Sequence, residues 1–262
     1  GSNANLLSSD LATALTGRHK ELLVYPFQFN EYYSSSDLYS IEGAAEAKAN
    51  FSEYLRKGGF PESLLNDKTD MLQEYYKNIL LKDVVGRYNI KYKDLLQKLS
   101  LFILSNSSKQ ISFYALEKRY DAGINTIRNY VSYLESSFLI FSLPYFSYSV
   151  KKQQQNPSKL YAVDVALAES VAFHFSEDKG RVLENVVLVN LKTKFSELYY
   201  HRNKKECDFL IKKGVDIVSA IQVCYELSEE NRKREIDGLV EACKTYDLNE
   251  GLLLTYDEDD EF

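Results

Sequence analysis

The sequence predicts an α+β protein in which helical segments come first and alternating strands and helices follow. In the first part, apolar residues recur at the spacing of an amphipathic helix, most clearly from Ile41 to Lys57, after which Gly58 and Gly59 end the helix. In the last part, short apolar runs that are typical of strands alternate with helical patterns over 181–194 and 229–246. With 262 residues and 45% apolar residues, the chain is large enough for two or three modules.

Composition and charge narrow the class of protein. No stretch approaches the roughly 18–20 apolar residues of a membrane span, and the first residues lack a signal-peptide pattern, so we predict a cytoplasmic protein with no membrane partner. Cys207, Cys224 and Cys243 have no metal-ligand spacing, and the three histidines form no motif, so no metal site is predicted from them. A net charge of −6 argues against binding nucleic acid through the whole surface.

Four further elements are predicted before residue 106. Asn5 to Thr16 has helical spacing and ends at Gly17, whereas Leu22 to Tyr25 is a short apolar run that predicts a strand. Two more helices are predicted over 70–88 and 92–105, which makes this a small helical section.

Residues 109–148 predict a winged helix. Ser112 is a candidate N-cap for a helix through Tyr120, a turn with Gly123 follows, and a second helix then begins. Residues 138–148 alternate around Pro144 and predict a hairpin-like strand pair, the wing. Helix, tight turn, helix and wing is the order of a winged helix.

The second of these helices is a candidate DNA-binding element. If its apolar face is buried, its outer face presents Asn125, Arg128 and Asn129, and such side chains read base edges and phosphates. Residues 93–150 carry six Lys and Arg against four Asp and Glu, a net charge of only +2. Because phosphate contacts supply most nonspecific DNA affinity, this charge leaves DNA binding and a structural or protein-contact role equally open.

A polar stretch from Lys151 to Ser158 (KKQQQNPS) predicts a linker and a domain boundary. The pattern beyond it predicts an α/β domain with, in order, a strand over 160–163, a helix over 181–194, strands over 197–201, 207–212 and 219–224, a helix over 229–246 and a strand over 251–255.

Seven segments, taken in their order and spacing, resemble a family of prokaryotic AAA-type ATPases in which a C-terminal domain of unknown function follows the ATPase core. They are GSNANLLSSDLATALTGR (1–18), VYPFQFNEYY (24–33), GGFPE (58–62), YAVDVAL (161–167), GRVLENVV (180–187), ECDFLI (206–211) and IQVCYEL (221–227). The resemblance covers nearly the whole chain. It implies a remnant of the ATPase core over 1–40, a helical lid over 41–92, the winged helix over 93–150 and a restriction-endonuclease-like domain over 151–262.

The ATP site of such a family needs a G-x-x-x-x-G-K-[ST] loop and an acidic metal-binding strand, and this sequence contains neither. ATP and Mg²⁺ are therefore expected in the intact protein, and no cofactor is expected for this chain. The resemblance implies two nucleotide-site residues in the intact protein: Asn3 as the sensor of the γ-phosphate and Arg18 as a stabiliser of transition-state charge. The alternatives are that residues 2–4 come from an expression tag and that Arg18 complements a helix C-terminus.

The predicted α/β domain contains a candidate catalytic site. Its order of elements, with Glu184 on a helix and Asp208 and Gln222 on strands, resembles the restriction-endonuclease-like fold. Active members hold Mg²⁺ with two acids and place a lysine beside the scissile phosphate. Cys224 stands at the expected position of that lysine, and a neutral thiol cannot replace an ammonium, so cleavage is in doubt.

Two interpretations of this site stay open. Lys212 lies four residues after Asp208, hence on the same strand face, and could substitute for the missing lysine. Otherwise Glu184 and Asp208 remain as a buried polar pair in an inactive nuclease scaffold, which is the interpretation that we favour.

Three functions are therefore carried forward: a C-terminal fragment of an AAA-type ATPase, a DNA- or protein-binding module with a degenerate nuclease fold, and an active metal-dependent nuclease. The parent protein is expected to be an ATPase, and this chain alone is expected not to be catalytic. A sheet cut at the sensor strand exposes an edge, so we predict either disorder over Gly1 to Phe29 or a homodimer that covers it.

Overall fold

The computed structural model describes residues 22–34, 40–172 and 178–258. Helices and two small sheets are both present, which confirms the α+β class. The chain forms two compact units. Unit 1 is drawn from residues 1–105, 120–141 and 162–173, and unit 2 from residues 106–119, 142–161 and 174–262.

The elements follow one another along the described residues in a mixed order. Up to residue 136 they are α1 (Phe29–Tyr32), α2 (Ile41–Lys57), α3 (Pro61–Asn66), α4 (Met71–Asn78), a π-helical segment (Ile79–Val85), α5 (Lys93–Ser105), β1 (Lys109–Ile111), α6 (Phe113–Tyr120) and α7 (Ile124–Ser136). They continue with β2 (Ile140–Leu143), α8 (Val150–Gln155), β3 (Ser158–Ala162), α9 (Val165–Val171), α10 (Lys179–Lys194), β4 (Leu198–Arg202), β5 (Glu206–Lys213), β6 (Asp216–Val223), α11 (Arg232–Tyr246) and β7 (Leu252–Leu254).

Unit 1 is mainly helical, and a hydrogen bond joins the segment after α2 to the start of α9. The Ser40 hydroxyl accepts a hydrogen bond from the backbone of α2, and the helix ends at Gly58, whose φ of 75° suits glycine. The Asp164 carboxylate then accepts a 2.7 Å hydrogen bond from the Gly59 amide and caps α9 through a 2.8 Å bond from Leu167. A Cβ atom on Gly58 would lie 2.4 Å from this carboxylate, so glycine is required there.

The helix predicted over 70–88 is continuous only as far as Asn78 in α form. Beyond it the backbone widens, and the Gly86 amide donates to the Leu81 carbonyl, five residues back, at 2.9 Å. Leu80, Asp83 and Val84 are buried in this segment. The spacing of apolar residues along the sequence does not distinguish this π-helical segment from an α-helix. The sequence therefore predicted one continuous α-helix over 70–88.

The strand predicted over Leu22 to Tyr25 is wrong, because this segment has neither helical nor strand structure. A strand needs a neighbour to accept its backbone hydrogen bonds, and no strand of the described sheets pairs with it. Leu22 and Val24 are instead 76% and 93% exposed.

The hairpin predicted within 138–148 is wrong, and so is the linker predicted after it. Within 138–148 only β2 is a strand, and Tyr145 then makes an isolated bridge to Tyr200. The polar stretch after it folds as α8, which Ser149 caps, and runs into β3. The three-stranded sheet has the order β1-β3-β2, so the second strand of a hairpin is supplied by β3, across the expected boundary. The four-segment division of the chain stays a prediction.

The four-stranded sheet of unit 2 has the order β4-β5-β6-β7, with the last pair parallel and the others antiparallel. Helix α11 packs closely on it, because Gly238 brings the helix backbone against the Glu206 carbonyl, which a Cβ atom would approach to 2.1 Å. The core beneath α11 contains Phe146, Cys207, Leu210, Ile217, Ala220, Leu239 and Ala242. None of the described helices in either unit is long and apolar enough to cross a membrane.

Candidate functional site

A buried lysine and three carboxylates form the centre of the polar site in unit 2. The Lys159 ammonium lies 3.0 Å from Glu184 Oε1, 2.8 Å from Asp208 Oδ1 and 2.8 Å from Glu206 Oε1. The Lys159 side chain is only 3% exposed. The Tyr161 hydroxyl donates a 2.7 Å hydrogen bond to the same oxygen of Glu184. Three carboxylates therefore surround one ammonium group, and a tyrosine hydroxyl binds one of them.

Three elements bring these groups together. Strand β3 carries Lys159 and Tyr161 on one face, because side chains two positions apart along a strand point the same way. Helix α10 carries Glu184, and β5 carries Glu206 and Asp208, which are again two positions apart. Strand β3 is held in place by antiparallel pairing with β1, in which Gln110 lies opposite Lys159.

The pairing of charges explains how these groups are tolerated in the interior. Burying a lone ammonium or carboxylate costs several kcal/mol, and close opposite charges with good geometry offset that cost. Burial alone would lower the pKa of Lys159, but the carboxylates of Asp208, Glu184 and Glu206 outweigh it and raise that pKa well above its usual range. The ammonium is therefore charged at neutral pH.

Glu184 is the carboxyl of this cluster that holds a proton. Burial, together with the nearby Asp208 carboxylate, raises the pKa of Glu184 to about 8, although Lys159 and Tyr161 act in the opposite direction. At neutral pH, Glu184 is therefore mainly protonated. Asp208 Oδ2 accepts a 3.0 Å hydrogen bond from the Val223 amide.

A second network continues from Asp208 towards α11. The Asp208 amide donates to Gln222 Oε1 at 3.1 Å, and Gln222 Nε2 donates to Glu235 Oε2 at 2.6 Å. Arg234 Nε donates to the other oxygen of Glu235 at 3.0 Å. Both polar ends of the Gln222 side chain are thus used inside the protein, and Gln222 is itself buried.

The Lys159 ammonium is held by three carboxylates. It donates hydrogen bonds to Glu184 and Asp208 and forms an ion pair with Glu206. Glu184, Asp208 and Gln222 were predicted as a degenerate nuclease-like site, and the ammonium lies between the first two of them. Among the described residues, no group of three or more His, Cys, Asp or Glu side chains is arranged to hold a metal ion.

Cys224 and Lys212 do not take the role of a catalytic lysine. The Cys224 thiol donates to the Glu226 carbonyl at 3.0 Å, and burial raises the pKa of the thiol, so a reactive thiolate is disfavoured. Lys212 pairs with Glu197 at 2.7 Å, and the two residues are paired at the partly exposed end of β5. The suggestion that Lys212 replaces the missing lysine is therefore wrong, because the buried lysine of the site is Lys159.

A cleft of about 660 Å³ opens beside this cluster, and Glu184, Glu206 and Asp208 lie in its wall. Cationic side chains are also part of the wall: Arg181, Arg202, Lys204, Lys205 and Arg234. Arg181 binds Asp178 at 2.6 Å through Nε, but its Nη1 atom is buried and has no partner among the described residues. In the wall of the cleft, several charged side chains therefore pair with one another, whereas the Nη1 donor of Arg181 has no partner among the described residues.

The predicted DNA-binding residues lie on α7 in unit 1, and the structure places all three in the same environment. Asn125, Arg128 and Asn129 are exposed, whereas the opposite face of the helix is buried, as the apolar spacing predicts. The predicted nucleotide-site residues, Asn3 and Arg18, lie outside the residues that the structure describes.

Lys159, Tyr161, Glu206 and Glu235 were missed by the sequence analysis. One signal was present: Lys159 stands in a strand whose next residues, Leu160 to Ala162, are fully buried. A lysine within a strand of that kind needs an acidic partner. The sequence does not say which of the many acids it is, because the partners lie 25 and 49 positions away.

Comparison with known proteins gives a family and two relatives. Residues 48–178, half of the chain, match the model described as "Domain of unknown function (DUF8612)". An uncharacterized protein of Methanocaldococcus jannaschii is 35% identical over 280 aligned positions, which cover 99% of this chain and 62% of that protein. An uncharacterized protein of Haemophilus influenzae is 29% identical over 255 positions, which cover 94% of this chain and 62% of that protein.

The chain thus spans about 62% of the length of these two relatives, one archaeal and one bacterial. No solved structure matches it. Since the family model covers half of its length, the chain belongs to the DUF8612 family.

Proposed function

We propose that unit 2 is a metal-independent DNA-binding module on a nuclease-like scaffold, and that the chain is the C-terminal part of an AAA-type ATPase. The order of β3, α10, β5 and β6, with Glu184, Asp208 and Gln222 gathered at one site, supports the nuclease-like scaffold. We assign binding to that site, and not catalysis, because the Lys159 ammonium occupies the space between the Glu184 and Asp208 carboxylates.

The observation that carries this proposal is the position of the Lys159 ammonium. The ammonium donates to Glu184 Oε1 at 3.0 Å and to Asp208 Oδ1 at 2.8 Å, and it forms an ion pair with Glu206 Oε1 at 2.8 Å. A divalent cation would need the same carboxylate oxygens, and an ammonium next to them repels it. Without a metal, the site has neither an activated water nor a Lewis acid for phosphodiester cleavage.

Charge at the mouth of the cleft supports DNA as the ligand. Arg202, Lys204 and Lys205 are exposed along the turn between β4 and β5, and all three line the cleft. Lys159, Arg181 and Arg234 pair with acids of the wall and offset part of their negative charge. Phosphates are therefore the groups that these exposed cations would meet from solvent. The order of β1, α6, α7 and β2 along the chain and the exposed Arg128 of α7 support a second DNA contact on a winged helix.

The ATPase part of the proposal rests on the resemblance of the seven segments. In the intact protein, ATP and Mg²⁺ would be bound by a phosphate-binding loop that this sequence does not contain. The greater length of the two relatives leaves room for such a core. Sequencing of the complete gene tests this part directly, since a gene without a G-x-x-x-x-G-K-[ST] motif would refute it.

DNA binding is tested with a labelled duplex and the full chain in a fluorescence anisotropy titration at low and high salt. We expect binding that weakens steeply as salt rises, and weaker binding with a lower salt dependence for the double variant Lys204→Glu, Lys205→Glu. The matched control is Lys233→Glu, Lys244→Glu, which changes the charge equally on exposed positions of α11 outside the cleft. Equal losses in the two double variants would refute binding in this cleft.

A second candidate function, an active nuclease, is favoured by one contact. Lys159 touches both Glu184 and Asp208, so it could be a catalytic lysine that has moved to another strand. The two functions separate in a cleavage assay on DNA and RNA with Mg²⁺ or Mn²⁺. The closed site predicts no cleavage by the native chain, whereas cleavage that Asp208→Ala abolishes would establish the nuclease.

A further inference from the structure

Two tyrosines form an aromatic platform at one wall of the cleft in unit 2. The rings of Tyr225 and Tyr256 stack with centroids 4.7 Å apart and planes inclined by 21°. The Tyr256 amide also donates to the Tyr225 carbonyl at 3.2 Å, so the backbone holds the two rings in register. Tyr225 is half-buried and lines the cleft.

The position of this platform in the sheet follows from the strand directions. Strands β6 and β7 are parallel, and Tyr225 and Tyr256 each follow the carboxyl end of one of them, at Val223 and Leu254. In open α/β sheets, ligands bind in the crevice outside the carboxyl ends of parallel strands. The platform lies at the corresponding end of the one parallel pair among the described strands of this sheet.

Cationic groups lie next to the platform. The Lys179 ammonium lies over the Tyr225 ring, 5.1 Å from its centre, so a base that stacks there takes the place of the ammonium. Lys179 is the first residue of α10, whose N-terminal turn also supplies Gly180 and Arg181 to the wall of the cleft. The Nη1 atom of Arg181 is buried and has no partner among the described residues, so this cation beside the cleft keeps an unused donor.

From these contacts we infer that the cleft takes single-stranded nucleic acid, with a base stacked on Tyr225 in place of the Lys179 ammonium, which turns with Arg181 to the adjoining phosphate. This inference rests on the proposed DNA binding and specifies its ligand. Stacking on a tyrosine requires a base whose face is open, which a single strand offers and a duplex does not. A cleft of about 660 Å³ is also of the size that encloses a small ligand, whereas a duplex would lie across its mouth.

The test compares ligands on the full chain by anisotropy, with labelled oligothymidylate as the probe. Unlabelled oligothymidylate, a duplex and free thymidine monophosphate are the competitors. We expect the single strand to compete best and the free nucleotide to compete poorly, because it lacks the neighbouring phosphates. A free nucleotide that competes as well as the strand would overturn the inference in favour of a mononucleotide pocket.

Two variants locate the site. Tyr225→Leu removes the stacking surface and should weaken single-strand binding by roughly ten-fold to a hundred-fold, while Tyr225→Phe should keep it. The control is Tyr148→Leu, at a tyrosine of unit 2 that is 73% exposed and lies outside the cleft wall. If Tyr225→Leu fails to fold in a thermal unfolding check, Lys179→Ala replaces it. That exposed substitution should lower the salt dependence of strand binding by about one unit.

The outcomes separate this inference from the proposed function. If the duplex binds as tightly as the strand and Tyr225→Leu and Lys179→Ala change neither, DNA binding stands and the single-strand site is refuted. If the native chain binds no form of DNA at low salt, both are refuted.

Discussion

The Lys159 ammonium lies 2.8 Å from Asp208 Oδ1, although the two residues are 49 positions apart in the sequence. Lys159 is on β3 and Asp208 is on β5, and both residues belong to unit 2. The contact therefore connects these two strands through a charge pair. We therefore expect removal of this charge pair to lower the free energy of unfolding.

The first prediction is that Lys159→Met destabilises the protein by about 3–5 kcal/mol, because it leaves buried carboxylates without their partner. Urea unfolding followed by circular dichroism measures the change. Lys212→Met is the control, since Lys212 pairs with the partly exposed Glu197, and such a pair contributes only about 0–1 kcal/mol. A loss for Lys159→Met no greater than that of the control would contradict the structural role of the ammonium.

The second prediction concerns pH. Folding raises the pKa of Glu184 from 4.5 to about 8, so between these values the folded chain keeps a proton that the unfolded chain has lost. The free energy of unfolding should therefore fall as pH rises through this window, by up to about 1.4 kcal/mol per pH unit, and should become independent of this group above it.

Glu184→Gln removes this titration while keeping an oxygen that can accept from Lys159 and Tyr161. The stability of the variant relative to the native chain should rise from pH 4.5 to pH 8 and then level off. Thermal unfolding at several pH values measures it, and Glu226→Gln, at an exposed position, serves as the control. A stability difference that does not change with pH would show that Glu184 has its ordinary pKa.

The third prediction concerns Gln222, the position of the second nuclease acid. Gln222→Glu replaces the amide that donates to Glu235 with a carboxylate, so two carboxylates would face each other at the 2.6 Å contact. We expect a loss of about 1–3 kcal/mol at neutral pH, with partial recovery in acid as one of the two is protonated. Gln155→Glu, on the exposed end of α8, should be nearly neutral. A gain of metal-dependent cleavage in Gln222→Glu would favour the nuclease instead.

The fourth prediction compares two helical glycines in unit 2. Gly238→Ala places a Cβ atom 2.1 Å from the Glu206 carbonyl, so α11 must move away from the sheet, with a loss of several kcal/mol typical of overpacking, about 1–3 or more. Gly180→Ala meets only Asp178, at 3.5 Å, and should keep or slightly raise stability. Urea unfolding of the pair checks this, and similar values would contradict the close packing at Gly238.

Elements with strong local patterns were predictable from the sequence. Helix α2 was predicted with its observed ends, because a capping serine and a glycine with positive φ mark them. Strands β5 and β6 were predicted to within a few residues from their apolar runs. In both cases the signal lies within the element itself.

The site was predicted only in part, because its other half is non-local. Glu184, Asp208 and Gln222 were identified, and the structure joins them through Lys159 and the Asp208 amide. The role of Lys159 was missed because it depends on contacts between distant segments. Its strand β3 pairs with β1, where Lys109 lies opposite Leu160, and a pairing across 51 positions leaves no periodicity in either segment. The hairpin predicted over 138–148 was wrong for the same reason, because β2 lies next to β3 in the sheet and not next to the residues that directly follow it.

The way in which the two units share the chain has a practical consequence. Unit 2 takes residues 106–119 and 142–161 in addition to its C-terminal stretch, and unit 1 takes 120–141 and 162–173 between them. Any single cut near Lys151 would remove β1 from the strand that carries Lys159. Neither unit can be expressed as one continuous fragment, so deletion mapping by truncation would report misfolding instead of function. A reporter or a protease site is better inserted at an exposed turn such as Gly214.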